Sequence, residues 1–409
     1  MKKAKLRLVA MLLCVLMCLT LLPAEALAYT AESAENVTAS VVSNGKVKIT
    51  KQPKNQSVKQ GAKVTFQVKA SGKHLKYQWY YRKSSSGSWK KVSGGTKATL
   101  KVTANRMNGW QYRCQVKSGS KKVYSRAATL KVNYVKYRAL LIGEVNFSPK
   151  CTRNKGDVLK MKSMLSSVKT PKGGSYKITC KYDLSKSGIQ SAIKSAFKGA
   201  DSNDVSLFFI ATHGVTNVES GSWAGAICTS DGGYVQMGEL AGWLKKVPGK
   251  VIVIIGSCGS GAAVSANGAK GASKFDEDAF NTSVIQAFAA ADEILPSEGG
   301  DAANIGDFRN SKFYVLTAAK HMESSWGCED GSASSSYNYF PYYIVKGAKG
   351  AADSNKDKKI TLKELYKYAD KEARGPYYYY DENDVRQGPF YQHARVYPSN
   401  SSYVLFKTG

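Results

Sequence analysis

Acidic residues are missing from one part of this chain. Between Gly45 and Tyr134 the sequence holds 22 lysines or arginines and not one aspartate or glutamate. Histidine is scarce as well, with four in 409 residues, so few side chains are available for proton transfer near neutral pH. The eight cysteines are too sparse for a disulfide framework, and their spacings match no zinc site. After Leu22 no apolar run is long enough to span a bilayer, and no C-terminal anchor signal follows. Hydrophobic residues nevertheless make up 43% of the chain, which excludes a disordered polymer and allows two or three packed domains.

The first residues carry Lys2, Lys3, Lys5 and Arg7, then an apolar run from Leu8 to Leu22, then Ala26-Leu27-Ala28. Positive start, short apolar core and small residues at the end describe a secretory signal peptide over 1–28, with cleavage after Ala28. The mature protein is therefore expected to be secreted or held at the cell surface, with no transmembrane segment. Cys14 and Cys18 leave with the signal, and six cysteines remain. Residues 29–44 are polar, lack periodicity and read as a linker. The net charge of +30 is concentrated in 45–134, leaving about five net positive charges on the rest of the mature chain.

Residues 45–134 read as all-β. Lys63–Val68 and Leu75–Tyr81 alternate apolar and polar as half-buried strands do. Further strands are expected at Ala98–Val102, Gly109–Val116 and Ala127–Val132, separated by Ser-Gly turns. Trp79 and Tyr112-Arg113-Cys114 then carry a resemblance. This stretch resembles an immunoglobulin-like sandwich, with Trp79 as its buried tryptophan and Val68 where the partner of Cys114 would stand. The resemblance implies a lone core cysteine and no disulfide. With no acid nearby, the basic field does not cancel locally, so an anionic cell-wall polymer or glycan is the expected partner rather than nucleic acid. A basic sandwich with no dedicated ligand stays open.

From Tyr137 to the end the pattern is α/β. Apolar runs at Arg138–Gly143, Asp204–Thr212, Val251–Gly256 and Lys312–Ala318, with Tyr176–Tyr182, predict strands. Helical spacing predicts helices over Asp157–Val168, Ser187–Phe197 and Met237–Leu244. The alternation means βαβ units and a mostly parallel sheet covered on both faces. Sites in such sheets form beyond the C-terminal strand ends. One strand ends in Thr212-His213-Gly214 and the next in Gly256-Ser257-Cys258-Gly259-Ser260-Gly261. A thiol needs a base to become a nucleophile, and backbone N–H groups at a tight turn can hold the oxyanion of amide hydrolysis.

These motifs resemble the clan of legumain, caspase and clostripain-like cysteine peptidases. His213 and Cys258 lie 45 residues apart, against about 50 in caspases, although the caspase Gln-Ala-Cys-x-Gly signature is replaced by Gly256-Ser257-Cys258-Gly259-Ser260. The stretch Thr317-Ala318-Ala319 through Glu323-Ser324-Ser325-Trp326 is similar to the pocket-lining segment of legumain. By this resemblance His213 is the general base, Cys258 the nucleophile, and the amides of Gly214 and Cys258 form the oxyanion hole. The implied pocket comprises Glu144, Ser257, Glu323, Ser324, Ser325 and Trp326, whose two carboxylates favour Arg, Lys or Asn before the scissile bond. His321 ranks below His213 as base. No cofactor is implied for catalysis. The expected activity is that of an endopeptidase acting through an acyl-enzyme. A transpeptidase, or a surface-binding protein with an inactive domain, remains the alternative.

Two further features complete the expectations for the domain at 137–409. Residues 262–311 form a long insertion, with helical spacing from Phe275 to Glu293, which is either a processing site or a surface excursion. Asp353, Asn355, Asp357, Lys359, Thr361 and Glu364 occupy positions 1, 3, 5, 7, 9 and 12 of an EF-hand-like calcium loop, with Leu362–Ala373 as the exit helix. Lys358 stands where such loops carry glycine. Structural Ca2+ is expected there, the alternative being a polar turn before a helix.

Overall fold

The computed structural model describes residues 46–147, 150–214, 226–257, 287–288, 291, 311–319, 324–328, 332–381 and 383–408. The segments expected to be a signal peptide (1–28) and a linker (29–44), the expected nucleophile Cys258 and nearly all of the 262–311 insertion lie outside the described residues. The chain divides into two compact units. One comprises the residues up to Val58 with Ala62–Lys131, the other Lys59–Gly61 with the chain from Val132 onward.

The first unit is β-rich and antiparallel. Lys76–Arg82 pairs with Trp110–Ser118, with Trp79 opposite Cys114, and Lys63–Gln67 pairs with Thr99–Thr103. Alternation sends Val64 and Phe66 inward from one pair and Trp79, Tyr112 and Cys114 inward from the other. The two layers meet where Phe66 stacks on Tyr112 at 4.8 Å and approaches Trp79 at 6.3 Å. Trp79 is fully buried, and its indole N–H donates to the Lys97 carbonyl at 2.9 Å. Cys114 is buried outside any disulfide, and burial pushes its thiol up to about 11.

The second unit is built on one sheet whose strand order is Tyr176–Tyr182, Tyr137–Gly143, Val205–Ala211, Lys250–Gly256, Phe313–Thr317, Arg395–Tyr397. The first five strands are parallel and the last is antiparallel. Every residue of Tyr137–Gly143 and Val205–Ala211 is buried. Odd and even positions go to different cores. Ala139, Leu141, Leu207 and Phe209 pack with the helices Thr152–Ser167 (α1), Tyr339–Lys346 and Leu362–Glu372. Leu140, Ile142, Phe208 and Ile210 pack with Lys186–Ala196 and Met237–Lys245. Each such side chain contributes roughly 1.5–3 kcal/mol when fully buried. At the N-terminal edge, Arg138 donates to the buried Asp204 carboxylate at 2.7 Å and to the Gly199 carbonyl at 2.8 Å. Among the described residues no helix is long and apolar enough to cross a membrane.

The helix expected over 157–168 starts five residues earlier, at Thr152. Its first turns carry Asn154, Gly156 and Asp157, polar or small residues that give no apolar period yet are buried. Tertiary hydrogen bonds replace the hydrophobic signal. Asn154 Nδ2 donates to the Glu144 carbonyl at 2.6 Å, and Asn338 N–H donates to Asp157 Oδ1 at 3.0 Å. At Gly156 a Cβ would collide with the Ser336 carbonyl, so only glycine permits this approach. The helix Tyr339–Lys346 and the hairpin Tyr377–Tyr380 with Arg386–Phe390 were absent from the sequence-based expectations.

Burial pushes the Asp157 carboxyl up to about 7, against the opposing bonds from Asn338 and the charges of Lys160 and Arg153. A folded-state value above the unfolded one means that the folded protein binds the extra proton. The stability contributed is then complete below the unfolded value and is lost as pH rises through the folded value, about 7. Asp157→Asn mimics the protonated acid. Its melting temperature relative to wild type should therefore rise as pH increases through 7, measured by thermal denaturation across a pH series. A pH-independent difference would show that Asp157 keeps ordinary acidity.

Candidate active site

The geometry begins with register. Ala211 lies opposite Gly256 and Gly143 opposite Ala211, so three strands end in step at the same edge of the sheet. Beyond that edge, Thr212 N–H donates to the Gly256 carbonyl at 3.2 Å, prolonging the pairing by one residue. Thr212 Oγ1 donates to the Cys228 carbonyl at 2.6 Å, and Cys228 N–H donates to the His213 carbonyl at 2.9 Å. Gly214 bridges Ile227. The Cys228 to His213 bond makes this a non-hydrogen-bonded pair, so the Gly214 N–H is directed away from Ile227.

The His213 ring is half-buried and stands edge-on to Phe147, centroids 4.5 Å apart and planes at 72°. Burial lowers its pKa below the ordinary value, and the nearby Arg153 charge lowers it further. The imidazole is thus biased toward the neutral form, which accepts a proton. On the neighbouring strand, a Cβ at Gly256 would sit 3.0 Å from Pro341 Cγ, so this position takes glycine where the helix comes close. Ser257 follows, buried, its Oγ without a hydrogen-bond partner among the described residues. Cys258 comes next in sequence, two residues past Gly256, as His213 is two past Ala211.

Glu144, expected to line the substrate pocket, makes backbone contacts that the sequence did not suggest. Its side chain is fully buried, and its carboxylate accepts the Leu184 N–H at 3.0 Å and the Ser230 N–H at 3.3 Å. Burial raises its pKa, with the bonds from Ser230 and Leu184 opposing. Glu144 therefore ties three strand-end loops together. Beside it, Asp183 at φ +52° accepts the Val145 and Asn146 N–H groups at 2.7 and 2.9 Å.

Of the other expected pocket residues, Ser324, Ser325 and Trp326 are described, whereas Glu323, like His321, lies outside the described residues. Trp326 N–H donates to Gln392 Oε1 at 2.8 Å, and the same buried amide donates from Nε2 to the Ala318 carbonyl at 3.1 Å. One side chain thus clamps the end of the Phe313–Thr317 strand to the tryptophan. The indole stacks on Phe390, Tyr377 and Tyr379 with centroids 5.1, 5.7 and 6.2 Å away. Gln392 and Phe390 were not singled out from the sequence. Tyr377 and Tyr379 belong to a run of four tyrosines, which by sequence reads more as packing than as binding. Phe147 and Arg153 were missed too, although strand-end reasoning applied to residues after Gly143 would have reached Phe147.

In the 353–364 loop, Lys358 adopts φ +61°, the left-handed backbone that glycine usually supplies there. Asp353 accepts the Asp357 and Lys358 N–H groups at 3.1 and 2.9 Å, and Asn355 Oδ1 accepts Asp357 N–H at 2.9 Å. Lys359 Nζ lies 2.9 Å from Asp357 Oδ2. Thr361 and Glu364 form a reciprocal cap on the following helix. Among the described residues no group of three His, Cys, Asp or Glu side chains converges to hold a metal.

No curated protein matches the chain. Among solved structures, titin M4 is 20% identical over 21% of this chain and 95% of its own, with a TM-score of 0.18. A chimeric titin Z1Z2 carrying a decorin peptide is 19% identical over 22% of this chain and 97% of its own, also at 0.18. The tandem Ig repeats of Dlar are 19% identical over 22% of this chain and 50% of theirs, at 0.20. Scores this low assign no fold. A family model described as the caspase domain matches residues 136–364, a span that holds all five parallel strands and exceeds half of the chain. On that match the chain belongs to the caspase domain family, whose function is that of a cysteine peptidase.

Proposed function

We propose that the chain is a secreted cysteine endopeptidase in which His213 and Cys258 form the catalytic dyad. What supports this reading most is the in-step parallel register of Ala211 with Gly256, from which each dyad member is offset by two residues. The neutral imidazole takes the thiol proton. The thiolate attacks the scissile carbonyl, forming the C–S bond, and the carbonyl electrons move onto oxygen. The Gly214 and Cys258 amides stabilise that oxyanion. The imidazolium returns its proton to the leaving amine as the C–N bond breaks, and water, deprotonated by the same imidazole, hydrolyses the acyl-enzyme. The all-basic unit is an immunoglobulin-like module, read so from Trp79, Tyr112 and Cys114, that holds the enzyme on an anionic polymer. The 353–364 loop takes structural calcium, supported by its alternating oxygen donors and by the left-handed Lys358.

Cys258→Ala and His213→Ala should each lower peptide hydrolysis by about three orders of magnitude or more, because dyad members act as a unit. Turnover of a fluorogenic peptide library, with melting temperature as a fold control, measures this. Normal turnover by either variant would refute the dyad.

The depressed His213 pKa fixes a second expectation. The acid limb of kcat/KM should lie on the low side of the ordinary histidine value. Removing the nearby cation with Arg153→Gln stabilises the imidazolium, so the limb should move to higher pH. A pH–rate profile that does not shift would take Arg153 out of the electrostatics of the base.

Millimolar calcium should raise the melting temperature, and Asp353→Ala or Glu364→Ala should remove the increment. Because Glu364 also caps a helix, the quantity compared is the shift with and without calcium within each variant. A melting curve that calcium leaves unchanged would eliminate the site.

A further inference from the structure

The β-rich unit carries a face that the peptidase reading does not use. On the strands Lys76–Arg82, Trp110–Ser118 and Lys121–Tyr124, the residues on the side opposite Trp79 and Cys114 fall into cross-strand rows. One row is Lys76, Lys117 and Lys122, each directly opposite the next and all exposed. Like charges directly opposite one another on a sheet repel. No carboxylate among the described residues of the unit can offset them, because residues 46–131 contain none. A second row places Tyr80 between Lys91 and Arg113.

The arginines on this face are fixed rather than floppy. Arg113 lies between two rings, 4.2 Å from the Trp89 centroid and 4.5 Å from that of Tyr124. Arg82 covers Trp89 as well, at 4.7 Å, and its Nε donates to Gln111 Oε1 at 2.7 Å. Stacking of this kind holds a guanidinium in place without neutralising it. It also occupies the aromatic faces. A nucleic acid reader leaves such faces open for bases, whereas Trp89 here is covered by two arginines.

We infer that this face is a docking site for an anionic polysaccharide, whose carboxylate, sulfate or phosphate groups pair with the lysine row and the stacked arginines. The inference rests on the reading of this unit as a polyanion-binding module and narrows it to one face. Charge complementarity carries it. Six cations, from Lys76, Arg82, Lys91, Arg113, Lys117 and Lys122, lie on one sheet surface with no acid among them. An anionic chain laid across the lysine row would relieve repulsion that the folded unit otherwise sustains.

The test uses the full chain with polygalacturonate at low salt, against two charge-matched double variants. Lys117→Gln with Lys122→Gln should weaken binding about tenfold and flatten its salt dependence, since two paired cations are removed. The melting temperature of that variant without polymer should equal or exceed that of wild type, because repulsion is removed with the charge. Lys63→Gln with Lys101→Gln removes two exposed cations from the Lys63–Gln67 and Thr99–Thr103 pair, and should leave affinity within about twofold. Equal weakening by both double variants would leave a polyanion-binding module and overturn the site. No binding by the wild-type chain would overturn the module and the site together. Tighter binding of a single-stranded oligonucleotide of equal charge would replace the polysaccharide by nucleic acid and overturn the inference.

Discussion

The second unit depends on parallel strands that are buried on both faces. A strand with no solvent-facing side can satisfy its backbone only through its neighbours, so Tyr137–Gly143, Val205–Ala211 and Lys250–Gly256 are locked in step along their length. Two polar fastenings close the ends. Arg138 and Asp204 pair at the N-terminal edge, where breaking a buried pair costs about 3–5 kcal/mol. At the C-terminal edge, the Glu144 carboxylate gathers the Leu184 and Ser230 amides, while the Glu144 carbonyl receives Asn154. The chain therefore leaves the sheet at fixed points, after Ala211 and after Gly256.

Much of this frame was legible in the sequence. Continuous apolar runs mark strands buried on two faces, and Arg138–Gly143, Asp204–Thr212 and Val251–Gly256 were located to within about two residues of the strands seen. Their parallel sense followed from the intervening helical periods, whereas their order in the sheet came only with the structure. Where hydrogen bonds replace burial of apolar surface, the sequence was silent. The first turn of α1 is held by Asn154, Asp157 and Asn338, contacts between residues more than 180 positions apart. The amide bonds of Glu144 were invisible for a related reason. A carboxylate beside a strand end has the same letter whether it faces a ligand or accepts backbone amides. The antiparallel strand Arg395–Tyr397, three residues long, is too short to show alternation.

The two units treat charge in opposite ways. The peptidase unit buries carboxylates and surrounds them with donors, so that Asp157 and Glu144 act as structural acceptors with raised pKa values. The β-rich unit has no carboxylate acceptors among its described residues and spreads its cations over strands and rings. Its hydrophobic centre of Phe66, Trp79, Tyr112 and Leu130 tolerates this because the charges sit on alternate, outward positions.

The in-step register of Ala211 with Gly256 also sets what the chain can tolerate by way of length change. Successive residues of an extended strand point to opposite sides, so a single residue inserted within Val205–Ala211 or Lys250–Gly256 would send every later side chain of that strand toward the other core. A deletion there would do the same. The connection between these two strands carries fixed points of its own, in the bond of Cys228 to His213, the bond of Ser230 to Glu144 and the packed helix Met237–Lys245. The strands therefore act as rulers that must keep their count.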